Sequence, residues 1–317
     1  MKKFISMQEL NKKDLYKILR TAHRLKKKNI KKQSFMPLKG KTAAMIFQKP
    51  STRTRVSFEV GMFQLGGHAL YIDSQSSQIN RGETIEDTAR TLSKYVDCII
   101  MRANNHHDII ALAEQADVPV INGLSDIFHP CQVLSDIYTI MENKKWDISK
   151  DNTKKCNKLK VAYIGSTDNV ANSLITACAK FGINLTISCP PKYVPLTSVV
   201  ASAKIDADTT KAKILILSNP VSAVKDADVI YTDVWISMGR EKEKKERIKE
   251  LKSYQVNKNL LSLAKPNAMV MHCLPAHRGE EITDEVIDSK QSVVFEQAGN
   301  RLHVQKAILY LLLGNRN

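Results

Sequence analysis

The stretch TAAMIFQKPSTRTR, Thr42 to Arg55, decides the fold. Its opening, Thr42 to Phe47, is a continuous apolar run of strand length. After it Val56, Val60 and Phe63 recur at helical spacing until Gly66-Gly67 stops the pattern. A buried strand that turns directly into a helix is the building unit of a parallel sheet. Between the two lie Lys49, Ser51, Thr52, Arg53, Thr54 and Arg55, a set of hydroxyls and cations at the positive end of the helix. Backbone N–H groups and the helix dipole attract an oxyanion there, and a guanidinium fork matches phosphate oxygens. A capped helix with a solvated basic first turn accounts for the same residues, because Ser and Thr are common caps.

The same alternation extends in both directions. Toward the N-terminus, Asp14 to Lys28 reads as an amphipathic helix. Toward the C-terminus, strands are expected near 68–72, 98–101 and 118–121, then a helix from about Gln132 to Met141 and a polar segment, Glu142 to Lys158, suited to a boundary or a surface excursion. A second series follows, with strands at 159–164, 184–188, 228–232, 268–272 and 292–295. The last apolar run, His303 to Leu313, reads as a helix that needs a partner surface. The fold class expected is α/β, with two domains, each a central parallel sheet flanked by helices, and the active site in the cleft between them. A chain of 317 residues, 43% hydrophobic, is large enough for two such cores.

The formal charge of +16 invites a nucleic-acid reading, but the lysines fall in scattered runs such as Lys26-Lys27-Lys28, with no interleaved aromatics. The excess reads mainly as a soluble surface that can also steer a small anionic substrate inward, and no nucleic-acid partner is expected. The six cysteines contain no CxxC pair, which signals neither a zinc site nor a disulfide framework and fits reduced thiols in the cytoplasm. Met1-Lys2-Lys3 is not followed by an apolar stretch of signal-peptide length, and no apolar run reaches the roughly 20 residues of a membrane span.

The unusual polar residues fall just beyond the expected strand ends: Arg53, Arg102 and His129 in the first half, Asn169, Asp233 and Cys273 in the second. Open parallel sheets bind ligands at that edge, so facing domains would gather all six around one cleft. Taken singly, His129 before Pro130 reads as a cap or turn residue, Asp233 as a strand-end turn and Cys273 as a small buried hydrophobe.

Four segments taken together resemble the aspartate/ornithine transcarbamylase family, and within it the ornithine carbamoyltransferases: Ser51-Thr52-Arg53-Thr54-Arg55, His129-Pro130-Cys131-Gln132, Asp233-Val234-Trp235-Ile236-Ser237-Met238-Gly239 and His272-Cys273-Leu274-Pro275. Their order and separation match, and the likeness continues through Gln78, Arg81-Gly82-Glu83, Asp87-Thr88-Ala89-Arg90 and Asn300-Arg301. The resemblance implies a carbamoyl phosphate-binding domain over 1–132, completed by a C-terminal helix 303–317, and an ornithine-binding domain over 133–302. It implies transfer of the carbamoyl group from carbamoyl phosphate to the side-chain amine of L-ornithine, giving L-citrulline and phosphate, with no metal or organic cofactor.

By the same resemblance Ser51, Thr52, Arg53, Thr54, Gln78 and Arg102 take the phosphate, and Arg301 lies on the carbamoyl phosphate side. His129 and Gln132, with Thr54 and Arg102, surround the carbamoyl group. Asn169, Asp233, Ser237 and Met238 take ornithine, and Cys273 and Leu274 stand where the substrates meet. Arg102, His129, Asp233 and Cys273 are the expected catalytic groups. The resemblance implies a homotrimer or an assembly of trimers, in which the Gln78 loop reaches toward a neighbouring subunit's site, and a mobile Ser237-Met238-Gly239 loop that closes on ornithine. Direct attack by the amine is the expected route, with a covalent carbamoyl-cysteine as its alternative.

Two segments depart from the family pattern. Gly165-Ser166-Thr167-Asp168-Asn169 stands where Gly-Asp-Gly-Asn-Asn is usual, and Gly299 stands where an acidic residue is usual. Both are expected to change ornithine affinity or stability modestly. Among other readings, aspartate carbamoyltransferases carry His-Pro-Leu-Pro at the position of His272 to Pro275, putrescine offers no carboxylate to the Ser237 loop, and a dinucleotide-binding dehydrogenase would need a GxGxxG turn that Gly165-Ser166-Thr167 does not supply. The same groups catalyse both directions, so flux toward arginine synthesis and flux toward carbamoyl phosphate fit alike.

Overall fold

The structure, a computed structural model, describes residues 3–236 and 241–314. The chain divides into two compact units, Met1–Ser149 with Gly299–Asn317, and Lys150–Ala298.

In the first unit the strands are β1 (Thr42–Phe47), β2 (His68–Asp73), β3 (Cys98–Arg102) and β4 (Val120–Leu124), all parallel and in the order β2-β1-β3-β4. β3 is buried along its whole length and β1 along nearly all of it, the burial expected of strands covered on both faces. The helices are α1 (Lys12–Ile30), α2 (Thr52–Gln64), α3 (Ile85–Leu92), α4 (His106–Gln115) and α5 (Pro130–Asn143). The N-terminal segment adds to the β4 edge, where Phe4 N–H donates to Val120 O and Phe4 O accepts from Asn122 N–H, both at 2.8 Å. Ile5, Ala44, Ile46, Met101, Ile109 and Val120 belong to one continuous core.

The second unit carries β5 (Lys160–Ile164), β6 (Asn184–Ser188), β7 (Ile214–Leu217), β8 (Val229–Thr232) and β9 (Met269–His272), again all parallel, in the order β7-β6-β5-β8-β9. Its helices are α6 (Thr153–Cys156), α7 (Asn169–Phe181), α8 (Thr197–Thr210), α9 (Pro220–Val224), α10 (Lys244–Leu251), α11 (Lys258–Leu261) and α12 (Asp284–Ile287). The division between units falls within the last helix, α13 (Val294–Leu313).

Three expectations need correction. β7 was not anticipated, because it is short and lies at the sheet edge, where Leu215 and its neighbours are exposed rather than buried. The run 292–295 is not a strand. Ser292 makes one bridge to Val270, and at Val294 the chain is already helical, so the Val293-Val294-Phe295 pattern that suggested a strand is mostly the first turn of α13. The boundary expected between 132 and 133 would cut α5, whose residues Pro130 to Met141 are all buried; the chain divides after Ser149 instead, inside the polar segment.

Candidate functional site

In the first unit β1 is the point where the winding reverses, since β2 lies on one side of it and β3 on the other. Ligands of open parallel sheets sit beyond the carboxyl ends at such a reversal. There Arg102 is the register partner of Phe47, and Gln48 N–H donates to Arg102 O at 2.8 Å, which fixes the end of β3 beside the turn into α2. Ser51 caps α2, its Oγ accepting Thr54 N–H at 3.3 Å. Thr54 is buried, and its Oγ1 accepts a 2.8 Å bond from Arg301 Nη2, contributed by α13. Arg53 is half-buried and Thr52 exposed.

His129 immediately precedes Pro130, the first residue of α5, and is buried. Its pKa is held well below the usual imidazole value, first by burial and then by the cations of Arg301, Arg102 and Arg53. The ring is therefore neutral at physiological pH, inside a pocket built of guanidiniums. One turn along α5, Gln132 Nε2 donates to Asp136 Oδ1 at 2.8 Å, while Gln132 Oε1 is buried without a hydrogen-bond partner. Ser51, Arg53, Thr54, Arg102, His129, Gln132 and Arg301 thus share the carboxyl edge of one sheet. Gln78 does not join them: it is exposed, in the 3-10 turn Gln78–Arg81 after β2. Arg55 is held elsewhere, 3.0 Å from Glu59 and with its guanidinium 3.8 Å above the Tyr71 ring.

The second sheet reverses between β5 and β8, whose last residues Ile164 and Thr232 are register partners. Gly165 follows β5 at φ +119°, and a Cβ there would stand 3.3 Å from Trp235 Nε1, so the position requires glycine on both counts. Asn169 opens α7. Asp233 follows β8, is buried, and accepts Cys273 Sγ–H at 2.8 Å and Val234 N–H at 2.7 Å. Burial raises its pKa above the ordinary carboxylate value, against the opposing influence of both hydrogen bonds.

Cys273 is aimed by a buried chain behind it. His272 N–H donates to Gln297 Oε1 at 3.0 Å, and His272 Nδ1 accepts Leu274 N–H at 2.9 Å. A nitrogen that accepts carries no proton, so the ring proton sits on Nε2 and is donated to Glu281 Oε1 at 3.0 Å. Leu274 takes a left-handed φ of +57° just beyond this clamp. Ser237 and Met238, expected on the ornithine side, lie outside the described residues.

Two supporting residues were missed from sequence. Glu281 is fully buried behind His272, and nothing in the primary structure marks it. Arg247 lies in a run of charged residues, Glu241 to Glu250, whose composition suggests a solvated surface, yet its side chain is 1% exposed. It donates to Ser166 Oγ at 2.9 Å, to Trp235 O at 2.8 Å and to Glu243 Oε2 at 2.7 Å, with its guanidinium 4.6 Å from the Tyr193 ring. The only available signal was the apolar Ile248 and Leu251 on the same short helix.

The unusual Ser166-Thr167-Asp168 loop is internally tied. Ser166 Oγ donates to Asp168 Oδ2 at 3.3 Å, the Thr167 hydroxyl donates to Tyr193 O, and Thr167 is not among the residues at left-handed φ. Arg247 faces Asp168 at 4.0 Å, so the charge of this loop is partly matched. At Gly299 an added Cβ would meet no atom within 4 Å, so an acidic side chain is not sterically barred.

Two family models match the chain: residues 2–142 fit the aspartate/ornithine carbamoyltransferase carbamoyl-P binding domain, and residues 157–312 fit the Asp/Orn binding domain. An ornithine carbamoyltransferase of Thermococcus kodakarensis is 52% identical over 310 residues, covering 98% of this chain and 96% of the relative. An ornithine carbamoyltransferase of Pyrococcus furiosus described as anabolic is 52% identical over 310 residues, with 98% and 96% covered. The solved structure of an ornithine carbamoyltransferase from Pyrococcus furiosus superposes with a TM-score of 0.93 at 51% identity, covering 100% of this chain and 98% of that one.

Proposed function

The chain belongs to the aspartate/ornithine carbamoyltransferase family, and we propose that it transfers the carbamoyl group of carbamoyl phosphate to the side-chain amine of L-ornithine, yielding L-citrulline and phosphate. The observation that carries this reading is the contrast between the two switch points. One gathers Arg53, Arg102 and Arg301 around the neutral imidazole of His129, and the other pairs the Asp233 carboxyl with the Cys273 thiol. The first suits a phosphorylated, carbonyl-bearing donor and the second a cationic amine.

Carbamoyl phosphate is held by Ser51, Thr52, Arg53, Thr54 and Arg102 at the start of α2, with Arg301 behind Thr54 and Gln78 supplied from its exposed turn, by a neighbouring subunit in a homotrimer or an assembly of trimers. His129 donates to the carbamoyl oxygen, and the buried acceptor Gln132 Oε1 takes the carbamoyl NH₂. Asn169, Asp233, Ser237 and Met238 hold ornithine, and Cys273 with Leu274 borders the reacting carbon. Ornithine's distal nitrogen has an amine pKa near that of lysine, about 10.4, and must shed a proton before it attacks. The Asp233 carboxyl, made more basic by burial and bonded to Cys273, orients that nitrogen and accepts the proton it sheds, while exclusion of water disfavours the charged ammonium.

Attack forms the C–N bond, and the C–O bond to phosphate breaks with its electron pair leaving on the phosphate. The nitrogen, neutral after its first proton is shed, gives up a second as the C–N bond forms, and the departing phosphate takes it up; none of these steps needs an intermediate on sulfur. Charge grows on the phosphate oxygens as the bond breaks, so cations and amides fixed beforehand stabilise the transition state more than the ground state. A cytoplasmic enzyme of arginine synthesis, working without metal or organic cofactor, is the setting this reading proposes, in keeping with the relative described as anabolic.

The test is to supply carbamoyl phosphate with L-ornithine, aspartate, putrescine or an Nα-acylated ornithine and to assay the ureido product and phosphate. Product with ornithine alone is expected. Equal or faster turnover of any other amine would refute the assignment, and sedimentation of the native enzyme as a monomer would refute the trimer.

A further inference from the structure

Beyond Pro275 the chain makes a tight return in which His277, Glu280 and Glu281 turn their ligand atoms toward a common point, all within 4.8 Å of one another. His277 Nδ1 lies 3.8 Å from Glu280 Oε2 and 3.9 Å from Glu281 Oε2. Both carboxylate oxygens are closed to solvent and have no hydrogen-bond partner. Their twin oxygens are engaged: Glu281 Oε1 accepts His272 Nε2–H and, at 2.6 Å, His277 N–H, while Glu280 Oε1 faces Lys244 Nζ at 3.7 Å. The Glu281 side chain is 0% exposed, so its second oxygen cannot turn to water. A buried anionic oxygen calls for a donor or a cation, and here two of them converge on one imidazole nitrogen.

Atoms spaced in this way leave a point between them that is about 2.5 Å or less from each, close to the length of metal–nitrogen and metal–oxygen bonds. One imidazole and two carboxylates suit Zn²⁺ and its borderline neighbours, whereas Mg²⁺ and Ca²⁺ prefer oxygen alone and more of it. We propose that His277, Glu280 and Glu281 form a binding site for a divalent transition-metal cation, with a fourth position left to water. The site is separate from the Asp233, His272 and Cys273 group, which contains a thiol and belongs to the substrate machinery. It is nevertheless tied to that machinery, because Glu281 carries His272 on its other oxygen. An ion here would fasten both sides of the return that aims Cys273.

Co²⁺ is the probe, since its spectrum separates sulfur ligands from nitrogen and oxygen. In the full chain carrying Cys273→Ser, one equivalent of Co²⁺ is expected to bind with visible d–d bands and no sulfur-to-cobalt charge transfer. Adding His277→Ala or Glu280→Gln to that background should weaken binding at least about tenfold. His277 is 48% exposed and Glu280 25%, so both variants should keep their metal-free melting temperature. Failure of the Cys273→Ser chain to bind Co²⁺ or Zn²⁺ at millimolar concentration would overturn the proposal. So would equal affinity in the His277→Ala and Glu280→Gln forms.

Discussion

Replacing Glu281 by Gln tests whether the buried chain behind Cys273 aims the ornithine side of the site. Glu281 Oε1 accepts from His272 Nε2 at 3.0 Å and from His277 N–H at 2.6 Å, and the side chain is fully buried. A hydrogen bond to a charged oxygen contributes about 1.5–3 kcal/mol and a neutral one about 0.5–1.5. The isosteric amide therefore forfeits about 1 kcal/mol per bond, or ~2 kcal/mol in all. For a unit of this size 1 kcal/mol moves the melting temperature by about 2–4 °C, so a drop of roughly 4–8 °C is expected. Glu281→Ala leaves both donors buried and unmatched, at about 1–3 kcal/mol each, and should fall further. In kinetics the loosened Leu274 turn should lower kcat/KM for ornithine about tenfold or more, while KM for carbamoyl phosphate, whose proposed ligands are on the other sheet, stays unchanged. Differential scanning calorimetry and a citrulline assay read both quantities. A Gln variant as stable as the parent, or one whose carbamoyl phosphate affinity suffers first, would refute the reasoning.

The Asp233 carboxyl is raised by burial, so the folded state keeps its proton to higher pH than the unfolded chain does. The cost of the buried charge is absent below the ordinary pKa of about 3.9 and complete above the raised one. Asp233→Asn should accordingly be more stable than the parent at pH 7, lose that advantage toward pH 4, and turn over ornithine at least about 100-fold more slowly; urea midpoints across pH and initial rates decide it. His303 has the opposite sign: burial, then Lys26 and Lys306, push it down to about 4, so its neutral form costs stability progressively as pH falls from about 6.5 through that value. His303→Gln should gain on the parent over that window, and a pH-independent difference would show the residue does not titrate there. Thr54→Val removes the acceptor of a buried Arg301 bond and should raise KM for carbamoyl phosphate about tenfold or more, leaving KM for ornithine alone, as measured by varying each substrate in turn. Gly299→Glu, placed in open space within α13, should stabilise by about 0.5 kcal/mol through helix propensity, seen as a small rise in melting temperature with kcat unchanged.

How much of this was legible beforehand depended on the range of the interactions. Thr42 to Phe47 and Cys98 to Arg102 announce themselves, because a parallel strand buried on both faces must be apolar along its length. The carboxyl-edge positions of Arg53, Arg102, Asn169, Asp233 and Cys273 follow from the strands alone, once the winding is assumed. β7 escaped because an edge strand has no second neighbour to enforce the pattern, and Val294 was misassigned because a short β-branched run fits the end of a bridge as well as the start of a helix. Glu281 and Arg247 were invisible for a different reason. Charged residues are normally solvated, and only the partners that folding brings to them, His272 in one case and Ser166 with Trp235 in the other, explain their burial.

The bond between Arg301 and Thr54 joins residues 247 positions apart in the chain. During synthesis the loop that begins at Ser51 leaves the ribosome long before its guanidinium partner exists. A prematurely terminated polypeptide lacking the last seventeen residues carries the whole first sheet but none of the side chain that secures Thr54. The first turn of α2 is therefore tied to α13 only once the last helix has been synthesised.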